Sequence, residues 1–392
     1  MKVAFVTPWY GEFAGGAEVA VRQTAEHLRA AGVDVEVLTT CVRTPFDSWW
    51  KDEYRPGECK LNGVTVKRFP VNREGQAGYY EVNEKIQLTP RVTREEELKY
   101  LKGSISSDAL ADYVARHRDD HVYILCPYFY GLAYWAYQAA PDRCILMPCL
   151  HDEPQARFST TREMMEARKV IFLSPEEMGL AKKLYGTRGD NFTVVGVGVE
   201  GRDAYRPDRF REKYGITGPY VLYVGRKDRG KNVRLLIDHF RECRKAAGDD
   251  LRLVFIGGGD QRMVPKQEPF VDLGYVDEDD KHDACAGALC TCLLSENESF
   301  SLVIMESWLA ARPVIVSDRC EVTRGHCIRS NGGLFVADGD EFCEAIRYLK
   351  EHPDRAAAMG NNGRKYVLER YAWDGIVRRY TEIFKDFEEQ GR

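Results

Sequence analysis

The sequence predicts an α/β protein built on two doubly wound parallel sheets, and three observations predict it. At 392 residues the chain is too long for one hydrophobic core and suits two domains of ordinary size. Short apolar runs alternate with longer helical patterns, as in βα units laid on a parallel sheet. The alternation breaks in a Gly-, Pro- and charge-rich stretch from about Val199 to Pro219 and then restarts. Two Rossmann-like domains facing each other across a cleft are therefore expected, the first over 1–200 and the second over 201–371.

In the first half, strands fit Lys2–Val6, Val35–Thr39, Val122–Leu125, Cys144–Met147, Val170–Leu173 and Val194–Val195. A helix fits Ala17–Ala31, where Val21, Ala25 and Leu28 share one face and Gly32 ends the run. From Thr44 to about Asn83, Pro, Gly, Trp, Tyr and charged residues crowd together, which reads as inserted loops with a short hairpin. The second half opens with a strong strand at Tyr220–Val224 and a helix near Val233–Ala247. Further strands fit Leu253–Ile256, Phe270–Leu273, Ala288–Leu293, Pro313–Ser317 and Leu334–Val336. Helical patterns follow at Asp340–Glu351, Arg355–Tyr371 and Trp373–Glu389.

Composition narrows the function. Hydrophobic residues at 44% and charged residues at 30% describe a folded globular chain, and a net charge of −5 argues against a general nucleic-acid binder. The opening MKVAFVTPWY runs straight into a buried-strand pattern without the features of a signal peptide, so a cytoplasmic protein is expected. No apolar run reaches the length that crosses a bilayer. The twelve cysteines are then expected as reduced, small hydrophobes, and Cys290 and Cys292 alternate inside the apolar strand ALCTCLL. No second Cys or His pair stands at finger-like spacing, so no metal site is expected.

Four segments carry candidate chemistry. In TPWYGEFAGGAE, Gly15 and Gly16 let backbone approach a ligand beside a helix N-terminus, although a plain tight turn uses the same residues. In VGRKDRGKN, Arg226 and Lys231 follow a parallel strand, where two cations would neutralise a diphosphate; a solvated basic loop reads the same way. In SENESFSLVIMESWLAARPVIVS, Glu298 and Glu306 flank Phe300-Ser301 at a helix start. Ser301 fits the N-cap, leaving the Leu302 and Val303 amides for a phosphate, while each carboxylate suits a diol because it accepts two hydrogen bonds. An acidic loop before an amphipathic helix is the plainer alternative. In PCLHDEP, His151 and Asp152 follow a strand of the first domain, with the carboxylate placed to fix the imidazole tautomer or to cap the next helix. The acidic run Asp277–Asp280 is expected to cap a helix or face solvent.

Together these residues resemble the retaining glycosyltransferases of family 4, which have the glycosyltransferase-B (GT-B) fold. GGAE is similar to that family's glycine loop, Gly225-Arg226 followed by Lys231 to its phosphate pair, and ESFSLVIME to its Glu-x7-Glu motif. FIGGGD and LGYVDEDD, the latter with Tyr275, resemble the loops that hold the base. YAWDGIVRRYTEIF resembles the terminal helices that cross back to the first domain, here 372–392. The resemblance implies that Glu306 holds the donor ribose, Glu298 contacts the transferred sugar, and Arg226 and Lys231 stabilise the diphosphate. Gly15 and Gly16 would approach that diphosphate from the first domain, Phe300, Ser301, Leu302 and Val303 would line it, and His151 would meet the sugar. Two departures stand out: Ser299 and Ser301 replace the usual glycines, and Val197-Gly198-Val199-Glu200 replaces Asn-Gly-Val-Asp. The HDEP segment also resembles bacterial enzymes that assemble surface polysaccharides.

The resemblance thus implies metal-independent transfer of a hexose from a UDP- or GDP-sugar, without a further cofactor, to a glycan or lipid-linked acceptor. Val66–Arg73 and Arg91–Lys102 set cations beside apolar residues, either for an anionic membrane surface or as ordinary solvated faces. Rival readings are a sugar-nucleotide epimerase, a phosphorylase-like enzyme, and a silent partner that binds sugar nucleotide. A nicotinamide dehydrogenase fits poorly, since the first βα loop lacks the required glycine spacing.

Overall fold

The computed structural model describes residues 2–12, 15–89, 91–186, 190–247 and 250–389. The chain forms two compact units, one of residues 1–198 with 374–392 and the other of residues 199–373.

The first unit runs β1 (Lys2–Val6), α1 (Gly16–Ala30), β2 (Val35–Thr40), β3 (Gly57–Leu61), β4 (Val64–Phe69), α2 (Gln76–Leu88), α3 (Arg94–Gly103), α4 (Asp108–Arg116), β5 (His121–Leu125), α5 (Gly131–Ala139), β6 (Cys144–Leu146), α6 (Ser159–Met164), β7 (Lys169–Phe172), α7 (Pro175–Tyr185) and β8 (Phe192–Val194). Its eight-stranded sheet has the order β3-β4-β2-β1-β5-β6-β7-β8. β1 pairs in parallel with β2 and β5, Val3 opposite Val35 and Lys2 opposite His121. The central strands are buried almost throughout, as expected where helices cover both faces of a parallel sheet. β3 and β4 form the antiparallel edge hairpin, turned by Asn62-Gly63 with positive φ at both residues.

The stretch expected to be loops to Asn83 contains α2, which buries Val82 and Ile86. A Cβ on Gly103, at the end of α3, would lie 2.2 Å from the Gly75 carbonyl oxygen, so glycine there lets the two helices meet closely. The last helix, α15 (Trp373–Glu389), buries Ile376, Tyr380, Phe384 and Phe387. From within the first unit the Tyr380 hydroxyl meets Met147 Sδ at 3.5 Å. Arg168 donates to the Phe387 carbonyl at 2.8 Å, and Arg379 to that of Val195 at 2.6 Å. Glu36, fully buried on β2, gathers Lys2, Lys67 at 2.6 Å and His121 at 3.1 Å. Four of the cations suggested for a membrane face have protein partners: Lys67 holds Glu36, Arg68 the Tyr10 carbonyl, Arg94 Glu163 and Lys99 Glu81. Among the described residues no helix is long and apolar enough to cross a membrane.

The second unit runs α8 (Pro207–Tyr214), β9 (Tyr220–Val224), α9 (Val233–Ala247), β10 (Arg252–Ile256), β11 (Phe270–Asp272), α10 (Glu278–Gly287), β12 (Cys290–Leu293), α11 (Leu302–Leu309), β13 (Val314–Ser317), α12 (Glu321–Ser330), β14 (Gly333–Val336), α13 (Gly339–Glu351) and α14 (Pro353–Arg370). The six strands lie in the order β11-β10-β9-β12-β13-β14, all parallel. Cys290 and Cys292 are buried on β12, and of the twelve cysteines only Cys59 is exposed.

The Gly-, Pro- and charge-rich stretch contains α8, and the boundary between the two units falls at its start, between Gly198 and Val199. Asp280, expected at a cap or in solvent, is instead buried beneath α8. Asp280 receives Lys213 at 2.5 Å, Tyr214 at 2.7 Å and Arg209 at 2.7 Å, while Asp283 takes the Arg206 amide at 2.7 Å. These bonds fasten α8 to α10. On α14, a Cβ at Gly360 would lie 2.0 Å from the Ala311 carbonyl oxygen, and one at Gly363 would lie 2.2 Å from Trp308 Cδ1. The two glycines let α14 lie directly against α11.

Candidate active site

Doubly wound sheets bind ligands outside the carboxyl ends of their strands, where the winding reverses. In the first unit the reversal falls between β1 and β5, in the second between β9 and β12. The loop holding Gly15 and Gly16 follows β1. The loops holding Arg226 and Lys231, and Glu298 and Ser301, follow β9 and β12. His151 follows β6, one strand beyond the first reversal.

In the second unit the Lys231 ammonium lies 2.6 Å from Glu298 Oε1, so the β9 and β12 loops meet through an ion pair. The Lys231 amide donates to Asp228 Oδ1 at 3.0 Å, and the half-exposed Arg226 guanidinium pairs with the same carboxylate. Asn232 Nδ2 donates to the Leu294 carbonyl at 3.0 Å and pins the second loop to the first. Ser301 departs from the expected cap. Its φ is +71°, its hydroxyl makes no capping bond, and Oγ is buried without a hydrogen-bond partner. Leu302 and Val303 still open α11, so their amides lie in the turn that has no carbonyl behind it in the helix. Phe300 is buried, edge-on to His326 at 5.5 Å and to Tyr371 at 4.9 Å between ring centroids.

Glu306 stands one turn into α11. Lys281 of α10 reaches it at 2.8 Å and Glu278 at 2.8 Å. Burial opposes the charge on Lys281, but the two carboxylates outweigh it and hold its pKa above the usual lysine range. Glu278, His282 and Glu306 each bring one ligand atom to within 4.8 Å of the others, a spacing that suits a metal ion. Lys281 already supplies positive charge to both carboxylates, and burial lowers the pKa of His282.

Sequence reasoning missed Lys281, and also Lys227, which is wholly buried. Lys227 pairs with Asp272 at 2.9 Å and donates to the Gly257 carbonyl. Its amide donates to the Gly258 carbonyl at 2.8 Å, and its own carbonyl accepts the Asp260 amide at 2.9 Å. One residue thus joins the loop after β9 to the loop after β10. Gly225 and Gly257 both have positive φ, and a Cβ on Gly257 would lie 2.3 Å from the Gly225 oxygen. Tyr275 is 65% exposed and lays its ring on Gly258, where a Cβ would lie 2.4 Å from the hydroxyl.

In the first unit Gly15 is the extended N-cap of α1, and a Cβ there would meet Glu18 Oε2 at 2.1 Å. The loop glycine therefore makes room for a carboxylate folded back on the helix start, where the dipole favours it. A Cβ on Gly16 would meet open space. Phe13 and Ala14 of the same loop lie outside the described residues. His151 is half-buried, and its carbonyl accepts the Glu153 amide at 3.0 Å. Asp152 does not orient it as expected: its carboxylate is paired with Arg157 at 2.6 Å.

Two Rossmann-like parallel sheets, one carrying a Lys–Glu pair and a helix start at its reversal, define a protein of the GT-B class. That architecture is shared over 98% of this chain with all of HepE from Anabaena, solved with UDP-glucose, at a TM-score of 0.72 and 16% identity. Residues 15–198 match the glycosyl transferase 4-like domain and residues 207–366 match the glycosyl transferases group 1. The chain belongs to the family 4 type of GT-B glycosyltransferases. It is 26% identical over 186 residues to a phosphatidyl-myo-inositol mannosyltransferase of Mycobacterium leprae, a match spanning 44% of this chain and 48% of that protein. It is 25% identical over 421 aligned positions to a D-inositol 3-phosphate glycosyltransferase of Acidothermus cellulolyticus, covering 95% of this chain and 86% of the relative.

Proposed function

We propose that the protein is a retaining glycosyltransferase that moves a hexose from a UDP- or GDP-sugar to a glycan or lipid-linked acceptor in bacterial polysaccharide assembly. The observation that carries this reading is the ion pair of Lys231 with Glu298 beside the start of α11, one turn from Glu306. A diphosphate entering there displaces the carboxylate from the ammonium, and Glu298 is freed to accept sugar hydroxyls. Glu306, steadied by Lys281, keeps its second oxygen for a ribose hydroxyl. Arg226, Lys231 and the Leu302 and Val303 amides stabilise the charge that grows on the leaving diphosphate as the glycosidic bond breaks. The acceptor attacks from the same face, giving its proton to a phosphate oxygen, and configuration is retained. His151 contacts the sugar, and Gly16 lets backbone approach the phosphates. The UDP-glucose held by HepE supports a sugar-nucleotide donor, and the two relatives, a mannosyltransferase and a glycosyltransferase by name, support sugar transfer.

These protein cations make a divalent metal unnecessary, so turnover is expected to survive a chelator. Strict loss, restored by a divalent ion, contradicts that part of the reading. The main test is thermal shift with UDP-, GDP-, ADP- and dTDP-sugars on the unaltered chain and on Glu306→Ala. Stabilisation by one nucleotide class, abolished in the variant, is expected; no stabilisation by any of them removes the donor site.

A further inference from the structure

Glu177 lies in the first turn of α7 and is 1% exposed. Its two oxygens bind the ends of two neighbouring strands. The Leu150 amide, beyond β6, donates to Oε1 at 2.6 Å, and the Leu173 amide, just beyond β7, donates to Oε2 at 2.6 Å. The Glu177 amide in turn donates to Ser174 Oγ at 3.1 Å, which caps α7. Leu150 stands between Cys149 and His151, and Cys149 has φ +55°. A non-glycine residue keeps that left-handed conformation only where its surroundings impose it. The carboxylate is therefore the fixture that sets the backbone from which the His151 side chain projects.

We propose that Glu177 is a positioning residue for His151, holding the imidazole in place through the Leu150 amide, and that protonation of Glu177 releases this hold. The inference rests on the role proposed above for His151. An ionised carboxylate accepts at both oxygens, whereas the acid turns one of them into a donor facing an N–H, so one strand end loses its acceptor. Burial pushes the Glu177 carboxyl up to about 8 against the pull of the Leu173, Leu150 and Ser174 amides. The change thus falls within an ordinary assay range. The titratable group that feels the Glu177 charge is the Cys126 thiol, which lies 3.7 Å from that of Cys149 and is also acted on by Glu18 of α1, and both thiols act in turn on Tyr380 of α15. The hydrogen bond to Cys149 and burial raise the pKa of Cys126, and burial raises that of Tyr380, which leaves both neutral where Glu177 titrates.

The test uses the full chain, labelled with ¹³C at histidine Cε1, with the His151 resonance assigned from His151→Asn. Between about pH 6 and 9.5, that resonance should show an inflection near 8 that is absent in Glu177→Gln. With the sugar nucleotide that stabilises the protein, kcat should fall about 10- to 100-fold as Glu177 takes up its proton, while KM for the donor changes little. Glu177→Gln, with one acceptor oxygen in place of two, should stay low and flat with pH. Wild-type kcat and pH profile in Glu177→Gln, with His151→Asn inactive, would overturn the proposal alone. Full activity in His151→Asn would overturn the reading beneath it. Should Glu177→Gln not fold, the unaltered chain decides: no inflection of His151 near 8 refutes the coupling.

Discussion

Gly363 sits inside α14, where glycine costs about 1 kcal/mol relative to alanine, so helix propensity alone makes Gly363→Ala stabilising. Packing reverses the sign. The new Cβ would lie 2.2 Å from Trp308 Cδ1, 2.3 Å from Cγ and 2.6 Å from Nε1. Relief requires a shift of roughly an ångström or more, since carbon atoms touch near 3.5 Å. The indole is fully buried, and its Nε1 donates to the Gly332 carbonyl at 2.8 Å. Overpacking costs about 1–3 kcal/mol and the strained hydrogen bond about 1 kcal/mol, against about 1 kcal/mol of regained propensity. A net loss of about 2 kcal/mol is expected, the midpoint of those contributions. Urea unfolding followed by far-UV circular dichroism measures it, comparing midpoints because the chain has two units. Trp308 shares α11 with Glu306, so stabilisation by the sugar nucleotide should weaken in the same variant. An unchanged or raised midpoint would refute the packing argument.

Three further perturbations test the rest of the molecule. Glu36→Gln strips the counter-charge from Lys2 and Lys67 and a carboxylate oxygen from beside His121, and should destabilise the protein by about 3 kcal/mol at neutral pH. In the parent, burial opposes the charge on Glu36, but hydrogen bonds from His121, Lys2 and Lys67 outweigh it and hold the carboxyl below its usual range. Its contribution is therefore complete above the unfolded pKa and lost as pH falls below it, so the variant should lose part of the acid slope in urea midpoints. Burial first, and Arg329 second, lower the His326 pKa to about 3, so the unfolded chain takes up a proton that the folded one refuses. Stability from this group is complete above about pH 6.5 and falls by up to about 1.4 kcal/mol per pH unit below it. His326→Phe should flatten that segment of a pH series of midpoints. Lys227→Met leaves Asp272 and the Gly257 carbonyl without their ammonium; a weakened thermal shift with sugar nucleotide is expected, and an undiminished one would show the loops hold without it.

Much of the fold was legible because strands buried on both faces read as unbroken apolar runs, as in Val3–Val6 and Tyr220–Val224. The short hairpin expected between Thr44 and Asn83 is the β3–β4 edge pair, and its Asn62-Gly63 turn shows why that segment turns there. α8 is hard to see in a stretch rich in Gly, Pro and charge, yet Pro207 and Gly215 stand at the first position and just past the end of a helix, where they belong. α2 was lost because QAGYYEVNEKIQL shows two buried positions, Val82 and Ile86, and no broad apolar stripe. In the candidate site, Arg226, Lys231, Glu298 and Glu306 stand out in the sequence by their place after strands together with the family resemblance. Lys227, Lys281 and Glu177 do not, because a charged residue in a polar segment reads as solvated until the topology lays another loop over it. Ser301 shows the converse: its identity suggests a cap, and its backbone turns left-handed.

The division of the chain also bears on how it is made. The first unit is interrupted: its strands end at Val194, yet the residues that cover Met147 and satisfy the Val195 carbonyl come from α15, beyond Trp373. A ribosome therefore delivers the whole of the second unit before the first can be finished. The second unit is continuous in sequence, whereas the first lacks the buried side chains of Ile376, Tyr380, Phe384 and Phe387 until the last helix is made. Domains ordinarily fold as units in the order of synthesis. Here the second unit precedes completion of the first, and the exposure of the unfinished first unit to chaperones and proteases is set by the time taken to translate residues 199–389.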